Sequence, residues 1–191
     1  MILYHGTTSR HLDSIREHGL LPRYDERPTR WDENPSATDR VYLTNAYAVW
    51  FAWTAAEAGE KGVVVAVDVE EEDLVADEDY LAQTNWQDEA LAFLQDMSLQ
   101  ERTLYWKERA PSFPPMAQHS LANLGTVAHM GPCLDIVKIV EFDPLVAMEH
   151  DPTISLLNFR MLGDQYRAMT KDFVESDGKL GLRWQDYTEV A

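Results

Sequence analysis

The residues best equipped for chemistry open the chain. Tyr4-His5-Gly6-Thr7 sets an imidazole, a residue without a side chain and a hydroxyl in succession. An imidazole donates or accepts through either ring nitrogen. A glycine lets a flat ligand come close to its backbone N–H and C=O. Such a corner suits a planar amide or a ribose. It equally suits a plain strand end, with His5 partly buried and Gly6 permitting a turn, because short motifs often match by chance. A second set follows Arg40-Val41-Tyr42-Leu43-Thr44, where Tyr47, Trp50, Phe51 and Trp53 crowd one helix. Trp50 and Trp53 share a face of it, as do Tyr47 and Phe51. Most such stripes are core, although one ring can line a pocket while the others pack inward.

Other candidates are weaker. Arg23, Arg27, Arg30 and Arg40 concentrate positive charge, and arginines beside a pocket commonly meet phosphates. His11 and His18 lie too far apart on one helix for good shared metal ligation. Glu70 to Asp73 reads as a solvated strand exit and lacks the pattern of a calcium loop. Cys133 near His129 suggests a thiol nucleophile, against which stands the usual fate of a lone cysteine as a small buried residue. No metal site is expected.

The elements that must position these groups follow from periodicity. Ile2 to Tyr4 predicts a strand. Ser9 then caps a helix with Leu12 and Ile15 on its inner face, which Gly19 ends. Leu21 to Asp39, with three prolines, is a long loop. Arg40 to Thr44 is a strand, and Asn45 caps the aromatic helix from about Ala46 to Ala58. Gly62 to Val69, apolar on both faces, is a central strand. Tyr80 to Asn85 reads as a connector, Asp88 to Arg109 as one helix, and Ala110 to Pro115 as a breaker. Leu124 to Met130 and Asp135 to Phe142 are strands around Gly131-Pro132, expected to pair with each other. Ile154 to Arg167 is helical, and Trp184 and Tyr187 are expected to tuck onto the domain.

With 191 residues, 45% hydrophobic and 26% charged, the chain is long enough for a core without staples and too apolar for disorder. One cysteine excludes an intrachain disulfide and fits a reducing compartment. No apolar run approaches a membrane span and no leader pattern opens the chain, so a cytoplasmic protein is expected. A net charge of −17 repels nucleic acid from most of the surface and favours basic partners. An acidic decoy is therefore one reading.

On Tyr4-His5-Gly6-Thr7, the helix ending at Gly19-Leu20, Val41-Tyr42-Leu43-Thr44 with its aromatic helix, and Gly131-Pro132 before the last strand, the chain resembles the ADP-ribosyltransferase superfamily of the diphtheria-toxin and poly(ADP-ribose)-polymerase type. It is also similar to DNA-modifying toxins of that superfamily and, more distantly, to RNA 2′-phosphotransferases. The resemblance implies an α+β fold with a split mixed or antiparallel sheet. One domain is expected over residues 1–150, with a helical insert at about 80–118 that the resemblance leaves unmatched, and a helical extension over 151–191 packed on it. It implies NAD as cofactor, with ADP-ribose passed to a protein or nucleic-acid acceptor. His5 would hold the ribose, Gly6 the nicotinamide carboxamide, and Tyr42 would stack on the ring. Thr7 and Thr44 would lie beside them, with Trp53 and then Trp50 closing the aromatic slot.

The family's third motif carries a glutamate on the strand before the Gly-Pro turn. Here that strand, Gly125 to Met130, holds no acid. The expected position falls near Thr126, with His129 the nearest assisting group, and Glu141 would need another register. Either a different group acts, or the protein binds without efficient transfer, or it works on phosphate as the 2′-phosphotransferases do, through Arg10, Arg16 or Arg23.

Overall fold

The computed structural model describes residues 1–23, 36–113, 116–144 and 156–179, with backbone only for 156–162. Of the expected features, Arg27, Arg30, most of the Leu21–Asp39 loop, Trp184 and Tyr187 lie outside the described residues. The fold is α+β. Its six strands are β1 (Ile2–Thr8), β2 (Arg40–Thr44), β3 (Gly62–Asp68), β4 (Leu74–Ala76), β5 (Thr126–Met130) and β6 (Ile136–Phe142). They form one sheet in the order β4-β5-β2-β1-β3-β6, every pair antiparallel. The described helices are α1 (Leu12–His18), α2 (Ala48–Ala55), α3 (Glu78–Gln83), α4 (Leu99–Arg109), α5 (Ala117–Asn123) and α6 (Leu156–Glu175), with short 3-10 turns between some of them.

Alternation along the strands sorts side chains into two cores. On one face Leu3, Val41, Leu43, Val63, Val65, Val67 and Val127 meet Leu12 and Ile15 of α1 and Ala117 and Leu121 of α5. On the other, Tyr4, Val64, Ala66 and Val140 meet Ala48, Val49 and Ala52 of α2 and Phe173 and Val174 of α6. β3 is buried on both faces, as its unbroken valines require. A third core, around the fully buried Trp106, unites α3, α4 and the turns beside them through Trp86, Leu91, Leu94 and Phe113.

Several expectations need correction. β5 and β6 are not partners: β5 lies between β4 and β2, and β6 pairs with β3 across the sheet. The chain is redirected between them by Cys133, whose backbone exchanges two hydrogen bonds with Leu20, at 2.8 and 2.9 Å. The 88–109 helix is two pieces. Ser98 is extended and opens α4 with a capping box to Glu101, so a new helix begins there. The 80–85 connector is partly α3, capped by Asp77. Neither Ser9 nor Asn45 caps its helix. The Ser9 hydroxyl accepts from the Lys61 amide, and the Thr44 hydroxyl takes the Ala46 and Tyr47 amides, both at 3.0 Å. Gly19 does end α1, at φ 76°.

Candidate functional site

β1 matches β3 over its whole length, from Ile2↔Asp68 to Thr8↔Gly62, yet meets β2 at Tyr4↔Thr44 alone. The sheet therefore parts between β1 and β2 beyond that pair. Into the gap opens a cavity of about 610 Å³. Tyr4, His5 and Gly6 line it from β1, and Tyr42, Leu43 and Thr44 from β2. Tyr47, Trp50, Phe51, Thr54 and Ala55 line it from α2 and its approach. Ser36, Thr126 and the run Asp77-Glu78-Asp79 complete the wall.

His5 spans the gap. Its Nδ1 lies 2.9 Å from the Tyr42 carbonyl oxygen, which can only accept, so Nδ1 carries the proton and Nε2 is left with a lone pair. Burial lowers the imidazole pKa, partly offset by that hydrogen bond, and favours the neutral ring. His5 and Tyr42 thus belong to one cleft.

The acids come from a junction that sequence reading passed over. β4 pairs with β5 through Leu74↔His129, Val75↔Ala128 and Ala76↔Val127. One step further brings Asp77 opposite Thr126, where α3 begins. Asp77 and Glu78 are both buried, Glu78 with 3% of its surface exposed. The Tyr42 hydroxyl donates to Glu78 Oε1 in a short hydrogen bond, and the Ala37 amide donates to the Tyr42 oxygen at 2.8 Å. Glu78 Oε2 is buried without a hydrogen-bond partner, a costly arrangement unless something else supplies a donor. Burial, then the charges of Glu78 and Asp77, push the Tyr42 phenol pKa well up, so it stays a donor. Burial, with Glu78 and Asp79 beside it, raises Asp77 to about 8, against the opposing pull of the Thr126 hydroxyl and the Asp79 amide.

The remaining expected residues divide. Thr126 lines the cleft next to Asp77, with its hydroxyl oxygen buried and without a hydrogen-bond partner. Trp50 lines it, whereas Trp53 packs against the core with Phe142, so the expected order of the two is reversed. Gly6 lines the cleft for a different reason than expected. A Cβ there would stand 2.6 Å from the Ala52 nitrogen and closer still to the Ala48 carbonyl oxygen, so its missing side chain makes room for α2 rather than for a ligand. The Thr44 hydroxyl is used up, donating to the Gly125 carbonyl at 2.6 Å while capping the approach to α2. Thr7 is buried in the β1–β3 ladder, outside the cavity wall.

His129 is also away from the cleft, because its position on β5 points to the opposite face. Its Nδ1 lies 3.2 Å from the Gly131 carbonyl and its Nε2 3.9 Å from Asp73. Cys133 is buried and its thiol is pushed up to about 12, which removes the thiolate a nucleophile needs. Arg40 is buried on Asp39 and the Lys107 carbonyl, a brace between β2 and α4. Arg10 pairs with Glu57 and Glu60, and Arg16 with Asp13 and Glu141. No group of three or more metal-ligating side chains gathers among the described residues.

The signal for Asp77 and Glu78 was present: Leu74-Val75-Ala76 is a short apolar run directly before them. It was hidden by the acids on its other side. Comparison with known proteins found no family, no curated protein and no solved structure that matches the chain. No described helix is long and apolar enough to cross a membrane.

Proposed function

We propose that the protein binds NAD in this cleft and transfers ADP-ribose from it, as the ADP-ribosyltransferases it resembles do, with Glu78 as the acid that β5 lacks. One observation carries the reading: a buried carboxylate, hydrogen-bonded to Tyr42 and with one oxygen unsatisfied, shares a cavity with His5. The Tyr42 and Trp50 rings would face the cationic nicotinamide. His5 Nε2 would accept from a ribose hydroxyl. Glu78 Oε2 would take the donor it lacks, a second ribose hydroxyl, and its charge would stabilise the positive centre that grows at the ribose C1′. As the C1′–N bond breaks, its electron pair neutralises the nicotinamide. An acceptor nucleophile then bonds to C1′ and gives up its proton to solvent.

The cavity wall holds acids and no arginine or lysine among the described residues. The acceptor remains of the two classes that the resemblance implies, protein or nucleic acid. A purely acidic decoy would not need the carboxylate in the cleft.

Calorimetric titration with NAD should give saturable binding that His5→Ala and Tyr42→Ala abolish. Nicotinamide release from labelled NAD in a mixed lysate should fall about 10²- to 10³-fold in Glu78→Gln, by analogy with the loss of other charge-stabilising groups. Binding unchanged in both first variants rejects the site. Binding with no Glu78-dependent release leaves a binding module that engages basic partners.

A further inference from the structure

A second, smaller cavity of about 190 Å³ lies in the helical insert, apart from the cleft. Its apolar wall is Trp86, Leu91 and Leu94, and its polar wall includes Gln83, Gln95 and Arg102. The Trp86 indole N–H is already spent on the Leu81 carbonyl, at 3.0 Å, so the ring offers only its apolar surface. Arg102 is the unusual member. Its Nε is buried with no hydrogen-bond partner. Arg10, Arg16, Arg40, Arg109 and Arg167 each hold a carboxylate, and Arg102 holds none among the described residues. In a chain with 33 acidic residues against 16 basic ones, a guanidinium with no ion pair among the described residues, beside a cavity, calls for an explanation.

We infer that this cavity is a binding site for a small monocarboxylate with an apolar stem, its carboxylate on Arg102 and its stem against Trp86, Leu91 and Leu94. A carboxylate matches the planar donor fork of arginine and would satisfy the orphan Nε. The glutamine amides add donors of no charge. One guanidinium in a strongly negative protein balances one negative charge and not two, which favours a carboxylate over phosphate. The volume is below the roughly 300 Å³ at which drug-sized pockets begin, so the ligand is the size of benzoate rather than of a nucleotide. The competing account is that the arginine stem merely covers Leu94 and Trp86 with its head in water. That account leaves Nε buried and unsatisfied.

The test uses the whole chain and does not depend on the NAD reading. Benzoate is titrated while the Trp86 indole N–H signal is followed by NMR, with benzamide as the neutral isostere and inorganic phosphate as the anion control. Benzoate should shift that signal saturably, at least about tenfold more tightly than benzamide or phosphate. Arg102→Met, which keeps the stem, should lose at least about tenfold in benzoate affinity, and Arg102→Lys should recover part of it. The same far-ultraviolet circular dichroism in each variant separates lost binding from lost fold. No saturable shift up to about 10 mM benzoate, where binding energy would be only a few kcal/mol, overturns the site. Benzamide binding equally well overturns the charge argument, phosphate binding better overturns the ligand class, and unchanged binding in Arg102→Met overturns the role of Arg102.

Discussion

The two sides of β1 are built differently. Against β3 it keeps a full ladder, lined by valines that are entirely buried. Against β2 it keeps one pair and then leaves space, which His5 bridges with a side chain instead of a backbone bond. One strand thus serves as the centre of a core on one side and as the wall of a cleft on the other. The two sheet histidines show the same contrast. His5 and His129 each set Nδ1 against a backbone carbonyl, but only His5 does so where the ladder is open. A polar residue type does not make a site; a missing set of strand hydrogen bonds beside it does.

Breaking the packed surroundings of β1 should have the largest effect. Gly6→Val drives a branched side chain into the α2 backbone, and a loss of about 3 kcal/mol or more is expected from overpacking that cannot relax. Chemical denaturation measures it, and a variant as stable as the parent would show that α2 can move aside. Leu3→Ala, in the opposite core, should cost about 2–5 kcal/mol in the same experiment. Thr44→Val should cost less, about 1–3 kcal/mol, because it removes the acceptor of two amides and leaves them buried.

The two tryptophans of α2 separate its cavity side from its core side. Trp53→Ala should lower the denaturation midpoint and leave any NAD affinity of the folded fraction unchanged. Trp50→Ala should do the reverse, since Trp50 faces the cavity and Trp53 the core. Equal effects on both readouts would erase the distinction between the two sides of α2.

The smallest effects concern pH. The pKa of His5 is lowered on folding, so the unfolded chain binds its proton more readily, and stability falls as pH drops through about 6.5, the ordinary histidine value. Asp77 is raised to about 8, so the folded chain holds that proton longer. Its contribution is most favourable in acid and is lost as pH rises from about 4, the ordinary aspartate value, through 8. The two trends oppose each other. His5→Gln should flatten the acid limb of a stability profile. Asp77→Asn, which retains a good helix cap, should flatten the alkaline limb. A profile unchanged by either variant would mean that neither group is as enclosed as its surroundings indicate.

Much of the cleft was legible because it rests on local signals. Ile2-Leu3-Tyr4 and Val41-Tyr42-Leu43 mark strands, and the residues that end or follow them are fixed in place along the chain. Asp77 and Glu78 were not legible, although they are as plain in the sequence as His5. Glu70 to Asp79 is acidic on both sides of the short apolar run Leu74 to Ala76. In the fold Glu70 to Asp73 are exposed while Asp77 and Glu78 are buried. The acids of the two groups are alike in type, and the three apolar residues between them are too few to mark which group is enclosed; the burial comes from β5 alongside and the insert above.

Local stretches of residues set where five of the six strands run, where most described helices lie and which side chains can do chemistry, since those follow from apolar period, capping residues and functional groups along a few neighbouring positions; β4 escaped them. The tertiary structure alone decided strand order. β5 and β6 are close in sequence and both apolar, so either could have paired with the other, and the choice fell to distant partners, β2 and β4 for one and β3 for the other. That choice put a buried carboxylate beside Tyr42 and turned His129 away. Long-range pairing is set by the combined burial of many side chains from separate segments, which no local stretch of residues contains.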